Sequence, residues 1–156
     1  MKKIDISAVE TRLGSTYPSP YDEPCRERKR WRLGDAAGLT QFGVNLLRLP
    51  PGVWSSQRHW HTAEDEFVYV LQGEVVLVGD LGEEVLRAGD CAGFKAGERN
   101  AHQLQNRTDS EAVILEIGAR DPARDAVDYP DIDLAVPAGT RKYVHKDGTP
   151  YPPGPR

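Results

Sequence analysis

The sequence has no long hydrophobic run and no excess of basic residues, and each absence argues against a class of protein. No stretch of about 18 apolar residues occurs in the 156-residue chain, so no membrane-spanning helix is predicted. Residues 1–7 contain two lysines but no apolar segment after them, which argues against a secretory signal. The net charge of −4 disfavours nucleic acid as a partner, because phosphate binding needs a basic surface.

Cysteine is also scarce. The chain contains two cysteines, Cys25 and Cys91, far apart in sequence. Without a secretory signal, free thiols are expected rather than a disulfide, and a cytoplasmic location follows as a prediction. No histidine is adjacent to Cys91 in sequence, so we interpret it as a small buried residue rather than a nucleophile.

Helical periodicity is missing as well. Short apolar segments alternate with glycine-rich turns from residue 41 to residue 117, and this pattern predicts an antiparallel barrel or sandwich. Residues 67–71 are nearly continuously apolar, as in a strand covered on both faces. The prediction is one all-β domain with polar extensions.

Two histidines separated by one residue mark a candidate metal site. On a β-strand, His59 and His61 point to the same face. Asp65 has the same parity, but four residues of strand span about 13 Å, far beyond a metal bond of about 2 Å. The chain must bend, so Glu66, at the start of the next strand, is the candidate carboxylate. Glu64 and Asp65 are interpreted as solvent-facing bend residues.

These residues resemble a known family. Gly52, His59-x-His61, Glu66 and Gly73 are spaced like the first motif of the cupin superfamily, with one extra residue between Gly52 and His59. The resemblance is to the small bacterial metal-binding cupins that consist of a single domain.

A second segment, residues 89–106, resembles the second cupin motif but departs from it twice. Lys95 stands where the family usually has proline, and two extra residues separate Gly97 from His102. Two additional residues preserve strand parity, so His102 is predicted to be the third imidazole. The alternative places Asn100 in that position, although an amide oxygen is a poorer ligand for a transition metal.

The resemblance implies a fold, a domain plan and a cofactor. The fold is the all-β, double-stranded β-helix, or jelly-roll barrel, of cupins. We predict an N-terminal arm (1–38), a barrel with the metal site (39–118) and a C-terminal extension (119–156). The cofactor is one divalent transition metal: zinc, iron, manganese or nickel. Three imidazoles and one carboxylate leave one or two coordination positions of such a metal open.

Three functions on a small molecule stay open. The first is an isomerase of a sugar or sugar phosphate, in which Glu66 or Lys95 moves a proton. The second is an iron-dependent dioxygenase with an apolar pocket lined by residues such as Val68, Val70 and Leu104. The third is a non-enzymatic binding protein.

Other features bear on partners. The basic segment 26–32 is either a solvated surface strand or a rim that attracts an anionic substrate. The arm packs either on its own barrel or on a second subunit. Trp60 and residues 67–71 present apolar faces, and cupins commonly pair through a sheet, so a homodimer is predicted.

Overall fold

The computed structural model describes residues 3–152, and within them the chain is almost entirely β-structure. The strands are β1 (Thr11–Leu13), β2 (Lys29–Arg32), β3 (Phe42–Leu49), β4 (Trp60–His61), β5 (Glu66–Gln72), β6 (Glu74–Gly79), β7 (Gly82–Arg87), β8 (Cys91–Phe94), β9 (Gln103–Gln105), β10 (Ala112–Ala119), β11 (Val127–Tyr129) and β12 (Leu134–Val136). One short helix, α1 (Leu33–Ala36), and two 3₁₀ turns (Ile6–Ala8 and Glu23–Cys25) accompany them. Within this part of the chain, no helix has the length and apolar character that a membrane crossing needs.

Three antiparallel sheets form the barrel. The largest has the strand order β1-β2-β3-β10-β5-β8, and two smaller sheets have the orders β7-β6-β9 and β12-β11-β4. Strands distant in sequence lie side by side, as in a jelly roll. The predicted all-β class and double-stranded β-helix architecture are confirmed.

The core lies between the large sheet and the β7-β6-β9 sheet. Alternate residues of β5, Val68 and Val70, point inward and are at most 6% exposed. They pack with a cluster that includes Leu47, Leu49, Val75, Leu86, Leu104 and Ile114. Each such side chain stabilises the fold by about 1.5–3 kcal/mol on burial.

The prediction that residues 67–71 are covered on both faces is wrong for the single chain. Phe67, Tyr69 and Leu71 lie on the outer face of β5 and are 37–48% exposed. The alternation of buried and exposed positions is that of a strand covered on one face only.

Gly73, which belongs to the first motif, makes the turn between β5 and β6. Its φ of 78° lies in the left-handed region that favours glycine. A Cβ at this position would also approach the carbonyl oxygen of Glu111 to 2.9 Å. Both features explain why the turn after β5 has glycine.

Both terminal segments join sheets of the barrel. From the N-terminal arm, β1 and β2 extend the large sheet beyond β3, so the arm packs on its own barrel. From the C-terminal extension, β11 pairs with β4, the strand of His61. Residues 1–2 of the arm and 153–156 of the extension lie outside the described residues.

The two cysteines are free thiols, as predicted. Cys25 is fully buried, but Cys91 is exposed, so the interpretation of Cys91 as buried is wrong. Cys91 begins β8, which lies at the edge of the large sheet. Cys91 is the register partner of Tyr69, so its side chain lies on the same outer, solvent-facing side of the sheet.

Candidate metal centre

Two backbone pairings bring the three histidines to one end of the barrel. His59 and His102 face each other in an isolated antiparallel bridge and exchange hydrogen bonds of 3.1 and 2.9 Å between their N–H and C=O groups. His61 is held by β11, where it is the register partner of Val127. Glu66 begins β5 and is the register partner of Gly118.

The four candidate ligands converge on one carboxylate oxygen. Oε2 of Glu66 lies 3.5 Å from Nε2 of His59, 3.5 Å from Nε2 of His61 and 3.1 Å from Nε2 of His102. The ligand atoms of His59, His61 and Glu66 all lie within 4.8 Å of one another. The structure therefore brings together the four side chains that the two motifs indicated.

Two of the imidazoles are oriented by oxygen atoms that lie within hydrogen-bond distance of Nδ1. Nδ1 of His59 lies 2.8 Å from the carbonyl oxygen of Gln57, and Nδ1 of His61 lies 2.6 Å from Oδ2 of Asp125. In each case an oxygen acceptor favours the tautomer with the proton on Nδ1. The lone pair of Nε2 is then directed at the shared centre, as in metal sites whose ligands are oriented by outer partners.

The third imidazole is held by packing. The His102 ring stacks on Phe94, with centroids 3.4 Å apart and planes 4° from parallel. Burial lowers the pKa of His102, so this imidazole stays neutral at pH 7. A neutral imidazole is the form that binds a metal.

The electrostatics of Glu66 reflect its surroundings. Burial alone would raise its pKa, but the His102 and His59 imidazoles outweigh that effect and hold the pKa well below its usual range. For His59, burial opposes protonation, but the Glu66 carboxylate outweighs it and raises the pKa of the imidazole. The lowered pKa of Glu66 keeps its carboxylate ionised, as a metal ligand must be.

The unsatisfied atoms indicate what the residues fit. Among residues 3–152, Oε2 of Glu66 is buried and has no hydrogen-bond partner, although three imidazole nitrogens surround it. Two atoms that each lie about 2.1 Å from a metal ion are about 3.0–3.4 Å apart at octahedral to tetrahedral angles. The separations of 3.1–3.5 Å around Oε2 match this spacing. The residues therefore fit a transition-metal ion.

The alternative third ligand points elsewhere. Asn100 is exposed, and its Oδ1 accepts a hydrogen bond from the backbone N–H of Asp80 at 3.2 Å. The side chain of Lys95 is 76% exposed, and its Nζ lies 3.9 Å from Oε1 of Glu98. Lys95 also lines a small cavity of about 30 Å³ that reaches His61 and Glu66.

Of the two bend residues, one is solvent-facing and one is not. Asp65 is exposed and caps the backbone N–H of Ala96. Glu64 is partly buried, and burial raises the pKa of its carboxyl. Its Oε1 accepts a hydrogen bond of 2.6 Å from the backbone N–H of Asp121. The interpretation of Glu64 as solvent-facing is therefore wrong.

Asp125 is the functional residue that the sequence did not reveal. It is 6% exposed. Its Oδ2 contacts His61, and its Oδ1 accepts hydrogen bonds from the backbone N–H groups of Ala63 and Glu64 at 2.8 and 3.2 Å. The only signal was its place in a polar connector, which has many acidic residues. One carboxylate oxygen of Asp125, one ring nitrogen of His61 and one carboxylate oxygen of Glu64 lie within 4.8 Å of one another, a second group able to hold a cation.

The candidate ligands form part of the wall of a cavity of about 480 Å³. Polar side chains dominate the rest of that wall, with the phenols of Tyr17, Tyr129 and Tyr143 and several arginines. The Tyr129 ring stacks against His59 with centroids 5.6 Å apart. The arrangement suits a polar small molecule that reaches the histidines.

Comparisons with known proteins agree with this geometry. A sequence model of the cupin domain matches residues 45–118. A solved structure from Silicibacter pomeroyi, named as a sugar phosphate isomerase from a cupin superfamily, is 46% identical to this chain. The match covers 97% of each chain, with a TM-score of 0.89. The chain therefore belongs to the cupin superfamily.

Two further solved structures extend the comparison. One from Acidithiobacillus ferrooxidans, named as a candidate sugar phosphate isomerase, is 34% identical over 78% of each chain, with a TM-score of 0.69. A polyketide cyclase from Streptomyces resistomycificus is 20% identical over 78% of this chain and 80% of its own, with a TM-score of 0.64, and shares the fold alone. A comparison with curated proteins gives no match.

Proposed function

We propose that the protein is a metal-dependent isomerase of a sugar or sugar phosphate. The observation that carries this proposal is the convergence of three imidazoles and one carboxylate on the wall of a polar cavity of about 480 Å³. The relatives named as sugar phosphate isomerases support it, since they are 46% and 34% identical to this chain over the matched residues.

The proposed ligands are His59, His61, His102 and Glu66. The cofactor is one divalent transition metal: zinc, iron, manganese or nickel. When bound, such an ion polarises carbonyl or hydroxyl oxygens of a substrate and stabilises the negative charge that proton removal creates. The four ligand side chains hold the ion, while the other residues of the cavity wall orient the substrate.

An aldose–ketose isomerisation moves a proton between neighbouring carbon atoms, so it needs an acid–base group beside the substrate. Glu66 and Lys95 are the candidates from the sequence. Glu64 is a third candidate, because its carboxylate lines the same cavity as His61. The largely exposed ammonium of Lys95 reaches the centre only from the side of the small cavity.

The two other functions have weaker support. A dioxygenase acting on an apolar substrate needs an apolar pocket, yet Val70 belongs to the core cluster and only Val68 and Leu104 of the three expected residues line the cavity. A binding protein without turnover has the same residues as an isomerase. Turnover distinguishes it from the isomerase.

We also propose that the protein is a homodimer through the outer face of the large sheet. Phe67, Tyr69 and Leu71 are exposed on β5, and their neighbours across β10 include Leu115 and Ile117. A contiguous apolar face of this kind is typical of an interaction surface. The cytoplasmic location stays a prediction.

The test combines metal analysis with turnover. Protein purified without a histidine tag is expected to contain one transition-metal ion per chain and to interconvert an aldose and a ketose, or their phosphates, in a panel followed by NMR. The His102→Ala variant is expected to lose both properties. A protein that is fully metal-loaded but inactive on the whole panel would refute the isomerase and leave the binding function.

A further inference from the structure

One wall of the large cavity carries hydrogen-bond donors that lack acceptors. Strand β2 alternates, so Lys29 and Trp31 lie on the outer face of the sheet while Arg30 and Arg32 line the cavity together with Arg28, which precedes the strand. This wall is separate from the metal centre in sequence and is contributed by the N-terminal arm.

Arg28 is a buried cation without a carboxylate partner. It is 5% exposed, and no acidic side chain forms an ion pair with it among residues 3–152. Three of its N–H groups donate to the carbonyl oxygens of Gly14 and Ser55, and a guanidinium has five. Burial lowers its pKa, and neighbouring Arg30 lowers it further. A buried charge is costly unless an opposite charge compensates it.

Two neighbouring donors are also unsatisfied. Arg30 binds Glu116 through Nη2 at 3.0 Å, while its Nε is buried and has no partner within the described residues. Oγ of Ser15 is buried and equally unpartnered, and it lines the same cavity. Ser15 follows Gly14, whose N–H and C=O groups both bond Arg28, so Ser15 is next in the chain to the residue that the guanidinium contacts, and both Ser15 and Arg28 line this cavity.

The balance of charge on this wall is positive. Arg28 and Arg30 contribute two cations, and Glu116 is the one carboxylate that pairs with either of them among residues 3–152. Two planar guanidinium groups and a hydroxyl supply donors from separate directions. This suits the three terminal oxygens of a phosphate better than the two oxygens of a planar carboxylate.

We infer that Ser15, Arg28 and Arg30 form a phosphate-binding subsite, which holds the phosphate of the substrate while its sugar carbons reach the metal centre. The inference rests on the proposed function for the sugar part of that substrate. It assigns the substrate class as a phosphorylated sugar rather than a free one, and it gives the N-terminal arm a role in recognition.

The probe is inorganic phosphate, titrated calorimetrically into the full-length protein in a buffer with no other oxyanion. Ser15→Ala and Arg30→Gln are each expected to weaken phosphate binding about 10- to 100-fold, the range for losing a hydrogen bond to a charged group. Glu116→Gln is expected to retain or strengthen it, which separates a lost donor from an unpaired carboxylate. Arg48→Gln, on the outer face of the same sheet beside Glu111, is the matched control and is expected to bind like wild type.

Because Arg28 also supports the backbone of Gly14, the test changes Ser15 and Arg30 rather than Arg28. Equal phosphate affinity in wild type, Ser15→Ala and Arg30→Gln would overturn the subsite. So would the absence of binding in wild type, or acetate binding as tightly as phosphate.

Metal removal separates this subsite from the metal centre. Phosphate binding is expected to survive EDTA treatment, and its loss would show that phosphate had bound the metal and would overturn the subsite. Metal content and turnover are measured on the same samples. A protein with metal and turnover but no phosphate site refutes this inference alone, whereas phosphate binding without metal or turnover refutes the proposed function alone.

Discussion

Replacing Asp125 by asparagine is expected to weaken metal binding by changing the tautomer of His61. Oδ1 of Asp125 accepts two backbone N–H groups, and Oδ2 accepts from Nδ1 of His61. In asparagine the oxygen must stay with the two N–H donors, so the NH₂ group faces His61. Nδ1 then becomes the acceptor, and the proton moves to Nε2, the atom that would bind the metal.

The expected magnitude follows from this exchange. Loss of a group that orients a ligand histidine costs about 10- to 100-fold in metal affinity. This corresponds to about 1.4–2.7 kcal/mol. Competition with a chromophoric chelator measures the affinity for zinc directly. Asp128→Asn is the matched control, because Asp128 lies on β11 and accepts from Trp60 Nε1 at 3.2 Å without touching a candidate ligand. Equal zinc affinity in the two variants would refute the tautomer argument.

Three other changes test separate parts of the structure. His102→Ala is expected to lower metal affinity by more than about 100-fold, because losing a ligand costs more than losing a group that orients one, while Asn100→Ala leaves the affinity nearly intact. The reverse result would mean that the second motif is aligned wrongly. At pH 8, Ellman's reagent is expected to label Cys25 only after unfolding, because burial raises its pKa to about 11, and to label Cys91 quickly in the monomeric chain, where the face shared with Tyr69 is open; a fast Cys25 would contradict this. Light scattering is expected to give the mass of two chains, and Tyr69→Glu to weaken the dimer about tenfold or more; a wild-type monomer at micromolar concentration argues against the dimer face.

The local part of the site could be predicted from sequence because its geometry is local. The i, i+2 spacing of His59 and His61 and the length of the bend to Glu66 are set by strand dimensions. The preserved parity of His102 follows from the period of two, and the structure places its imidazole beside Glu66 while Asn100 points to the Asp80 loop.

The parts that could not be predicted depend on contacts between distant segments. Asp125 lies 64 residues from His61 in sequence, and only the pairing of β4 with β11 brings them together. The exposure of Cys91 depends on its register with Tyr69 on β5, a pairing that no local pattern encodes. The inward direction of Arg28, Arg30 and Arg32 could not be predicted, because segment 26–32 has charged residues on both faces of its strand.

The pairing of β11 with β4 also has a consequence for how the protein is made. On the ribosome, all four candidate ligands emerge before residue 103, whereas Asp125 and β11 emerge later. A nascent chain that ends at residue 118 has the complete ligand set but lacks the carboxylate that orients His61. If the proposed ligands hold a metal ion, its full affinity is therefore expected only after residues 125–129 have been made.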